Sequence, residues 1–263
     1  MPLPNVYAHF ASSYRTLAER DRMQRIAFFG GSFDPPHRGH LAIAKAAADQ
    51  LALDQVLFAP VAHQPLKNTG AATPFVHRYA MTVLATQADA RFVPSLLDAP
   101  HAQASQPNYT VETLTRLRDS LAAQAEPTSL FTLLGADSWL GIAQWHQAGQ
   151  LLALSDWIVV ARPGFSLDSA ESALPTQVQA TQVEDATGWH LVLHHAASPP
   201  TRVWFLSCVQ EDISATELRA ALDAGESTAE FLPQAVSEYI RKTGLYHASS
   251  NPILGTCIRN SLG

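Results

Sequence analysis

Unbroken apolar runs that alternate with amphipathic stretches constrain this chain more than any other feature. The first is Arg25-Ile26-Ala27-Phe28-Phe29, closed by Gly30-Gly31 and followed by an alanine- and leucine-rich helical stretch from Gly39 to about Leu53. The pattern repeats with apolar Gln55–Val61, helical Pro74–Gln87, a strand candidate at Arg91–Ser95 and helical Val111–Ala123. It continues with apolar Ser129–Leu134, helical Asp137–Gln150 and apolar Trp157–Ala161. Val203–Cys208 reads as a last strand, and Ile213–Ala224 and Pro233–Thr243 as closing helices stopped by Gly225 and Gly244. A strand that is apolar along its whole length must be buried on both faces. The expected fold is therefore α/β, a doubly wound, mainly parallel sheet with helices on both faces.

The 263 residues suffice to bury a sizeable core. Residues 1–24 read as an N-terminal extension, 25–246 as the main domain and 247–263 as a flexible tail. Within the domain, 164–200 break the rhythm with Pro, Ser, Gln and His and read as an insertion or small subdomain. A net charge of -6 offers no basic footprint for a nucleic-acid backbone, which directs the search to small-molecule partners. Cys208 and Cys257 lie far apart and form neither a disulfide framework nor a zinc site. No apolar run is long enough to span a bilayer, and the first 24 residues hold no secretory signal pattern. The expected location is cytoplasmic, with no membrane partner; a homo-oligomer is compatible with the sequence.

An open parallel sheet binds ligands beyond the carboxyl ends of its strands. Here the first such loop reads Gly30-Gly31-Ser32-Phe33-Asp34-Pro35-Pro36-His37-Arg38-Gly39-His40-Leu41. Two glycines let the backbone turn tightly and approach a ligand without a Cβ in the way. Asp34-Pro35-Pro36 forces an extended turn before the helix. Gly39 falls near the helix start, where unpaired N–H groups and the dipole favour an anion. His37 and His40 are three apart, so a helical first turn puts both imidazoles on one side. Neither Gly-Lys-Ser/Thr nor Gly-x-Gly-x-x-Gly occurs, so this phosphate site has no Walker lysine and no dinucleotide fingerprint. Near the other end, Ile213-Ser214-Ala215-Thr216-Glu217-Leu218-Arg219 opens a helix with two hydroxyls and an arginine fork one turn later. Ser-x-Thr-Glu also serves as an ordinary helix cap.

The first loop resembles the HxGH signature of the nucleotidyltransferase superfamily as it appears in nicotinate-nucleotide adenylyltransferases, and the second resembles that family's ISxTxxR. The resemblance covers roughly residues 25–246 and implies the Rossmann-like nucleotidyltransferase type of sheet. It implies that His37, His40 and Arg219 are catalytic. It further implies that ATP is bound by Gly30, Gly31, Ser32, Phe33, His37, His40, Gly135, Asp137, Ser214, Thr216 and Arg219. Three more segments favour nicotinate mononucleotide as acceptor. Pro107-Asn108-Tyr109-Thr110-Val111-Glu112-Thr113-Leu114 is similar to the family's PSYTxxTL, with Asn108 in place of the usual serine. Gly135-Ala136-Asp137-Ser138 followed by Trp145 resembles GxD…W, and Arg162-Pro163-Gly164 matches RPG. By the same resemblance Trp145 stacks on the pyridine ring, Thr110 and His146 supply amides for the carboxylate, Asp137 contacts a ribose, and Lys67 lies near the acceptor phosphate. Leu66 stands where the family often has histidine.

The implied chemistry is transfer of AMP from ATP, with Mg²⁺ bridging the phosphates and no direct protein ligand to the metal assigned. Such groups position and stabilise charge, and they need no catalytic nucleophile. His194-His195 reads as a surface pair. Pantetheine-phosphate adenylyltransferase, another adenylyltransferase of the superfamily, or a non-catalytic nucleotide-binding protein of the same fold are the alternatives.

Overall fold

The computed structural model describes residues 23–62, 73–100, 108–124, 126–160, 167–185, 188–206 and 214–246. In chain order the elements are β1 (Gln24–Gly31), α1 (Arg38–Gln50), β2 (Gln55–Pro60), α2 (Phe75–Thr86), β3 (Phe92–Pro94) and α3 (Thr110–Ala122). There follow β4 (Thr128–Gly135), α4 (Ala136–Leu140), α5 (Ala148–Leu152), β5 (Asp156–Val160) and α6 (Leu167–Ser172). The chain closes with β6 (Gln179–Asp185), β7 (Gly188–His194), β8 (Thr201–Leu206), α7 (Ala215–Asp223) and α8 (Gln234–Thr243). The strands form a single sheet in the order β3-β2-β1-β4-β5-β8-β7-β6. From β3 to β8 neighbours run parallel; β7 and β6 are antiparallel additions.

Period-two side-chain alternation divides these apolar strands between two cores. Ala27, Phe29, Val56, Phe58, Ile158 and Val160 face the α1 side. Their neighbours Ile26, Phe28, Leu57, Ala59, Trp157 and Val159 face the side covered by α3, α4 and α5. That is why the runs carry almost no polar residues. A third cluster joins α2 to α7 and α8 through Met81, Leu218, Leu222, Val236 and Ile240. The strands β1 and β4 are neighbours although β2 and β3 intervene in sequence, so the winding reverses between them. Such a reversal leaves a crevice at the carboxyl ends of the two strands.

Three boundaries differ from the sequence reading. Strand β1 begins at Gln24, the last residue assigned to the extension, whose N–H donates to the Pro127 carbonyl. The single helix expected over Asp137–Gln150 is instead α4, a 3₁₀ turn at Ile142–Gln144, and α5. Gly141 ends α4, Trp145 is extended (ψ 148°), and Gln147 lies in the left-handed region at φ 52°, so no helix can run through. Within 164–200, the described part forms α6 and the β6–β7 hairpin, which continues the main sheet by pairing β7 with β8. Leu191 and Leu193 of β7 are fully buried in the same core as Trp139 and Trp157. Residues 1–22, Lys67, Arg162-Pro163-Gly164, Cys208, Ile213 and the tail 247–263 lie outside the described residues. Among the described residues no helix is long and apolar enough to cross a membrane.

Central burial predicts a steep contrast between two truncations. Ile158→Ala on β5, where the native side chain is fully buried, should cost about 2–5 kcal/mol in urea denaturation. Val76→Ala, at a 68% exposed position on α2, should change stability by less than about 0.5 kcal/mol. Equal effects at the two sites would contradict the burial pattern.

Candidate active site

The crevice between β1 and β4 opens into a cavity of about 610 Å³. Phe28, Gly30 and Gly31 reach it from β1, and Thr132, Leu133 and Leu134 from β4. A Cβ at Gly30 would lie 2.9 Å from the Phe28 ring, so a side chain there would displace a buried aromatic. Packing within the protein thus demands that glycine, besides any approach of a ligand.

Beyond Gly31 the loop leads to α1. Phe33 takes a left-handed backbone (φ 47°) and buries its ring completely. That ring meets His40 edge-on at 5.0 Å and Phe29 at 5.4 Å, which restricts where the His40 imidazole can lie. His37 is the N-cap of α1 and His40 is three positions along, and their rings lie against each other with centroids 3.8 Å apart, tilted by 37°. The His37 main-chain N–H donates to His40 Nδ1 at 3.2 Å. In a neutral imidazole one nitrogen carries the hydrogen. With Nδ1 accepting, that hydrogen is on Nε2, which is thereby set up as a donor. Burial lowers the His37 pKa to about 4. Burial, and then repulsion from His37, hold His40 well below the ordinary value of 6.5. Both rings are neutral near pH 7.

The second motif reaches the same loop. Ser214 caps α7, its Oγ accepting from the Thr216 N–H at 3.2 Å, so the capping role of this serine is realised. Arg219 Nη1 donates to the main-chain carbonyl of Asp34 at 2.9 Å, and Nη2 to Thr216 Oγ1 at 3.3 Å. A contact spanning 185 residues of sequence thus joins the two motifs. Arg38, the first residue of α1, gives its N–H to the Phe231 carbonyl at 2.8 Å, which ties the helix start to the segment before α8.

Of the residues expected at the acceptor, Thr110, Trp145 and His146 all line the cavity, as does Asp137 in the first turn of α4. Thr110 opens α3, where the N–H has no intrahelical acceptor. Half-buried Trp145 packs on the core and also walls the cavity, so its structural and ligand-facing readings hold together. His146 is exposed and stacks on Tyr109 at 4.1 Å. Gly135 is the N-cap of α4, with open space where a Cβ would sit. His37, His40, Ser214, Thr216 and Arg219 stand off the cavity wall and connect to it through the β1–α1 loop. His194 and His195 lie apart from the site, each bonded to a threonine, Thr181 and Thr201 respectively. Among the described residues no cluster of three or more His, Cys, Asp or Glu is arranged to hold a metal ion.

Sequence reasoning missed Arg78 and Asp98, and gave no role to Tyr109 although it stood in the quoted Pro107–Leu114 segment. Arg78 on α2 is buried, yet its guanidinium donates to the carbonyls of Ser32 (2.7 Å) and Thr73 (3.0 Å), with Ala62 at 3.5 Å. Desolvation lowers its pKa. The one available signal was its register, three before Met81 and four before Thr82 on the inward face of α2. Buried Asp98 lines the cavity and accepts a short hydrogen bond from the Thr113 hydroxyl. It follows β3 in a turn with no recognisable motif.

Comparison with known proteins extends this geometry. The cytidylyltransferase-like family profile matches residues 28–221. A probable nicotinate-nucleotide adenylyltransferase from Acidothermus cellulolyticus is 34% identical over 226 residues, covering 86% of this chain and 95% of the relative. A second, from Chromobacterium violaceum, is 37% identical and covers 84% and 98%. Among solved structures, the Plasmodium falciparum nicotinic acid mononucleotide adenylyltransferase complexed with NaAD superposes with a TM-score of 0.62 at 16% identity. That superposition covers 85% of this chain and 97% of the other and supports the fold.

The buried imidazoles predict a pH signature. Between about pH 6.5 and 4 the unfolded chain binds a proton that native His37 refuses. Stability should therefore fall as pH drops through that window and lose nothing more from this group below it. An NMR titration of the free protein should show His37 still neutral at pH 5.5, and added polyphosphate should raise its midpoint by favouring the charged form. A midpoint near 6.5 without ligand would refute the burial argument.

Proposed function

The chain belongs to the nicotinate-nucleotide adenylyltransferase family, and from that premise we propose that it transfers AMP from ATP to nicotinate mononucleotide, a step of NAD biosynthesis. The products are nicotinate adenine dinucleotide and pyrophosphate. The observation that carries this reading is the bond from Arg219 to the Asp34 carbonyl, which unites two phosphate motifs on a loop bordering the cavity lined by Thr110, Trp145 and His146.

An oxygen of the acceptor phosphate attacks the α-phosphorus of ATP in line, and the bond from that phosphorus to the oxygen bridging to the β-phosphate breaks. The attacking group is already ionised near neutral pH, so no general base and no covalent intermediate are needed. Catalysis rests on positioning and on stabilising charge at the phosphoryl oxygens. His40 Nε2 is the donor assigned to the transition state, held ready by the bond at Nδ1. His37 supports it from the neighbouring position, ring against ring. The hydroxyls of Ser214 and Thr216 each accept a bond inside the protein, so their own hydrogens remain available for the β- and γ-phosphates. Arg219 spends one of its five N–H donors on the loop and one on Thr216 of its own helix, and keeps the others for phosphate. The backbone of Gly30, Gly31, Ser32, Phe33 and Gly135 completes the ATP contacts, and Asp137 meets a ribose.

At the acceptor end the Trp145 face suits a flat pyridinium ring, and the N–H groups of Thr110 and His146 suit its carboxylate. Lys67 is assigned to the acceptor phosphate. Mg²⁺ would enter with ATP and supply neutralisation of phosphate charge; a cation that keeps waters and needs few protein ligands fits a site whose groups, among the described residues, are hydroxyls and neutral imidazoles rather than a carboxylate cage. Cytoplasmic residence accords with an ATP-consuming enzyme.

Pyrophosphate release should be measured with ATP, Mg²⁺ and, separately, nicotinate mononucleotide, nicotinamide mononucleotide and phosphopantetheine. Fast release is expected with nicotinate mononucleotide. Release with phosphopantetheine alone would overturn the acceptor assignment, and silence with all three would overturn catalysis. His40→Ala, correctly folded by circular dichroism, should lower kcat by about 10²–10³ or more, on the scale of removing a transition-state donor. Near-normal turnover would remove His40 from the mechanism.

A further inference from the structure

Tyr246 completes a ring of hydrogen bonds around the phosphate loop that the reaction described above does not use. It follows α8 in the left-handed region at φ 68°. Its hydroxyl donates to Asp34 Oδ1 at 2.6 Å and is also bonded to the Thr73 hydroxyl. The Thr73 carbonyl accepts from Arg78 Nε, and Arg78 Nη1 returns to the loop at the Ser32 carbonyl. Asp34 is therefore held twice, by its side chain from Tyr246 and by its carbonyl from Arg219. It is 2% exposed, and Thr73 and Arg78 are buried as well. Burial, and then the bond to Asp34, push the Tyr246 hydroxyl pKa upward, so it remains a donor at any working pH.

The chemistry of this ring gives Tyr246 a task. A buried carboxylate that loses its donor seeks the nearest cation, and a guanidinium binds a carboxylate more strongly than it binds a carbonyl. Two guanidinium groups flank Asp34: Arg78, which already feels its charge but has Nε, Nη1 and Nη2 each on a carbonyl, and Arg219, whose Nη1 sits 2.9 Å from the Asp34 carbonyl and which has donors to spare, so the carboxylate's open partner is Arg219. We propose that Tyr246 is a positioning residue: by occupying the Asp34 carboxylate it keeps Arg219 on the Asp34 carbonyl and open to the phosphates of ATP. The proposal rests on the adenylyl-transfer reading for its substrate.

Tyr246→Phe removes one oxygen atom and tests the idea. The variant should bind ATP about tenfold more weakly by titration calorimetry, the scale of one hydrogen bond to a charged group, and raise the KM for ATP by a similar factor. The KM for the acceptor should stay within about twofold. Adding Asp34→Asn removes the negative charge that competes for Arg219, so Tyr246→Phe combined with Asp34→Asn should recover ATP affinity relative to Tyr246→Phe alone. A purely structural role makes the second substitution neutral or worse. The proposal is overturned by wild-type ATP affinity in Tyr246→Phe, by an equal rise in both KM values, or by a double variant no better than the single. Wild-type protein that binds ATP but releases no pyrophosphate would sink the transfer reading, while the ATP titrations would still decide the role of Tyr246.

Discussion

Ser32 and Asp34 present their main-chain carbonyls to arginines from distant parts of the chain, and the site depends on those two bonds. Arg78 comes from α2 and Arg219 from α7. A buried guanidinium is costly unless its N–H groups are satisfied, and Arg78 satisfies them on three carbonyls from the β1–α1 and β2–α2 connections. The arrangement fixes the backbone rather than a side chain. It sets Phe33, whose ring confines His40, and it sets the approach to α1, where the His37 and His40 rings meet. On the proposed reading an anion arriving there would meet donors whose orientation is settled beforehand, which is what charge stabilisation in phosphoryl transfer requires.

The sheet supplies the remaining coordinate. Because β1 and β4 are adjacent while β2 and β3 lie to one side, the crevice stands between the glycine-ended strand and the strand that delivers Asp137. The broken stretch after α4 brings Trp145 and His146 to the same crevice in extended and turn conformations. One side of the cavity is thus made by strand ends and the other by a short irregular segment.

How much of this was legible beforehand follows from where the signals lie. Strands buried on both faces write themselves as apolar runs, so β1, β2, β4, β5 and β8 could be read directly. The histidine pair could be read because three-residue spacing at a helix start has one geometric meaning. The interruption at Gln147 could not: its left-handed backbone uses neither glycine nor proline, so the stretch kept a helical pattern. Strand β6 was hidden because Gln179–Asp185 is mostly exposed and polar, and only pairing with β7 makes it a strand. Arg78 and Asp34 escaped because a charged residue in sequence reads as surface. Their burial is created by contacts from α7, α8 and the loop after β2, all remote in the chain.

Strand β6 closes an open sheet, and an open sheet is a template: its last strand offers a row of backbone donors and acceptors to any chain that comes alongside. Here that last strand ends in Glu184 and Asp185, both exposed, with Gln179 and Gln182 exposed before them. A second copy laid antiparallel would carry its own carboxylates into a polar ladder with little apolar surface to bury in return. Among the described residues β6 is one of the two edges of the sheet, and growth there is discouraged by the same polar residues that concealed the strand.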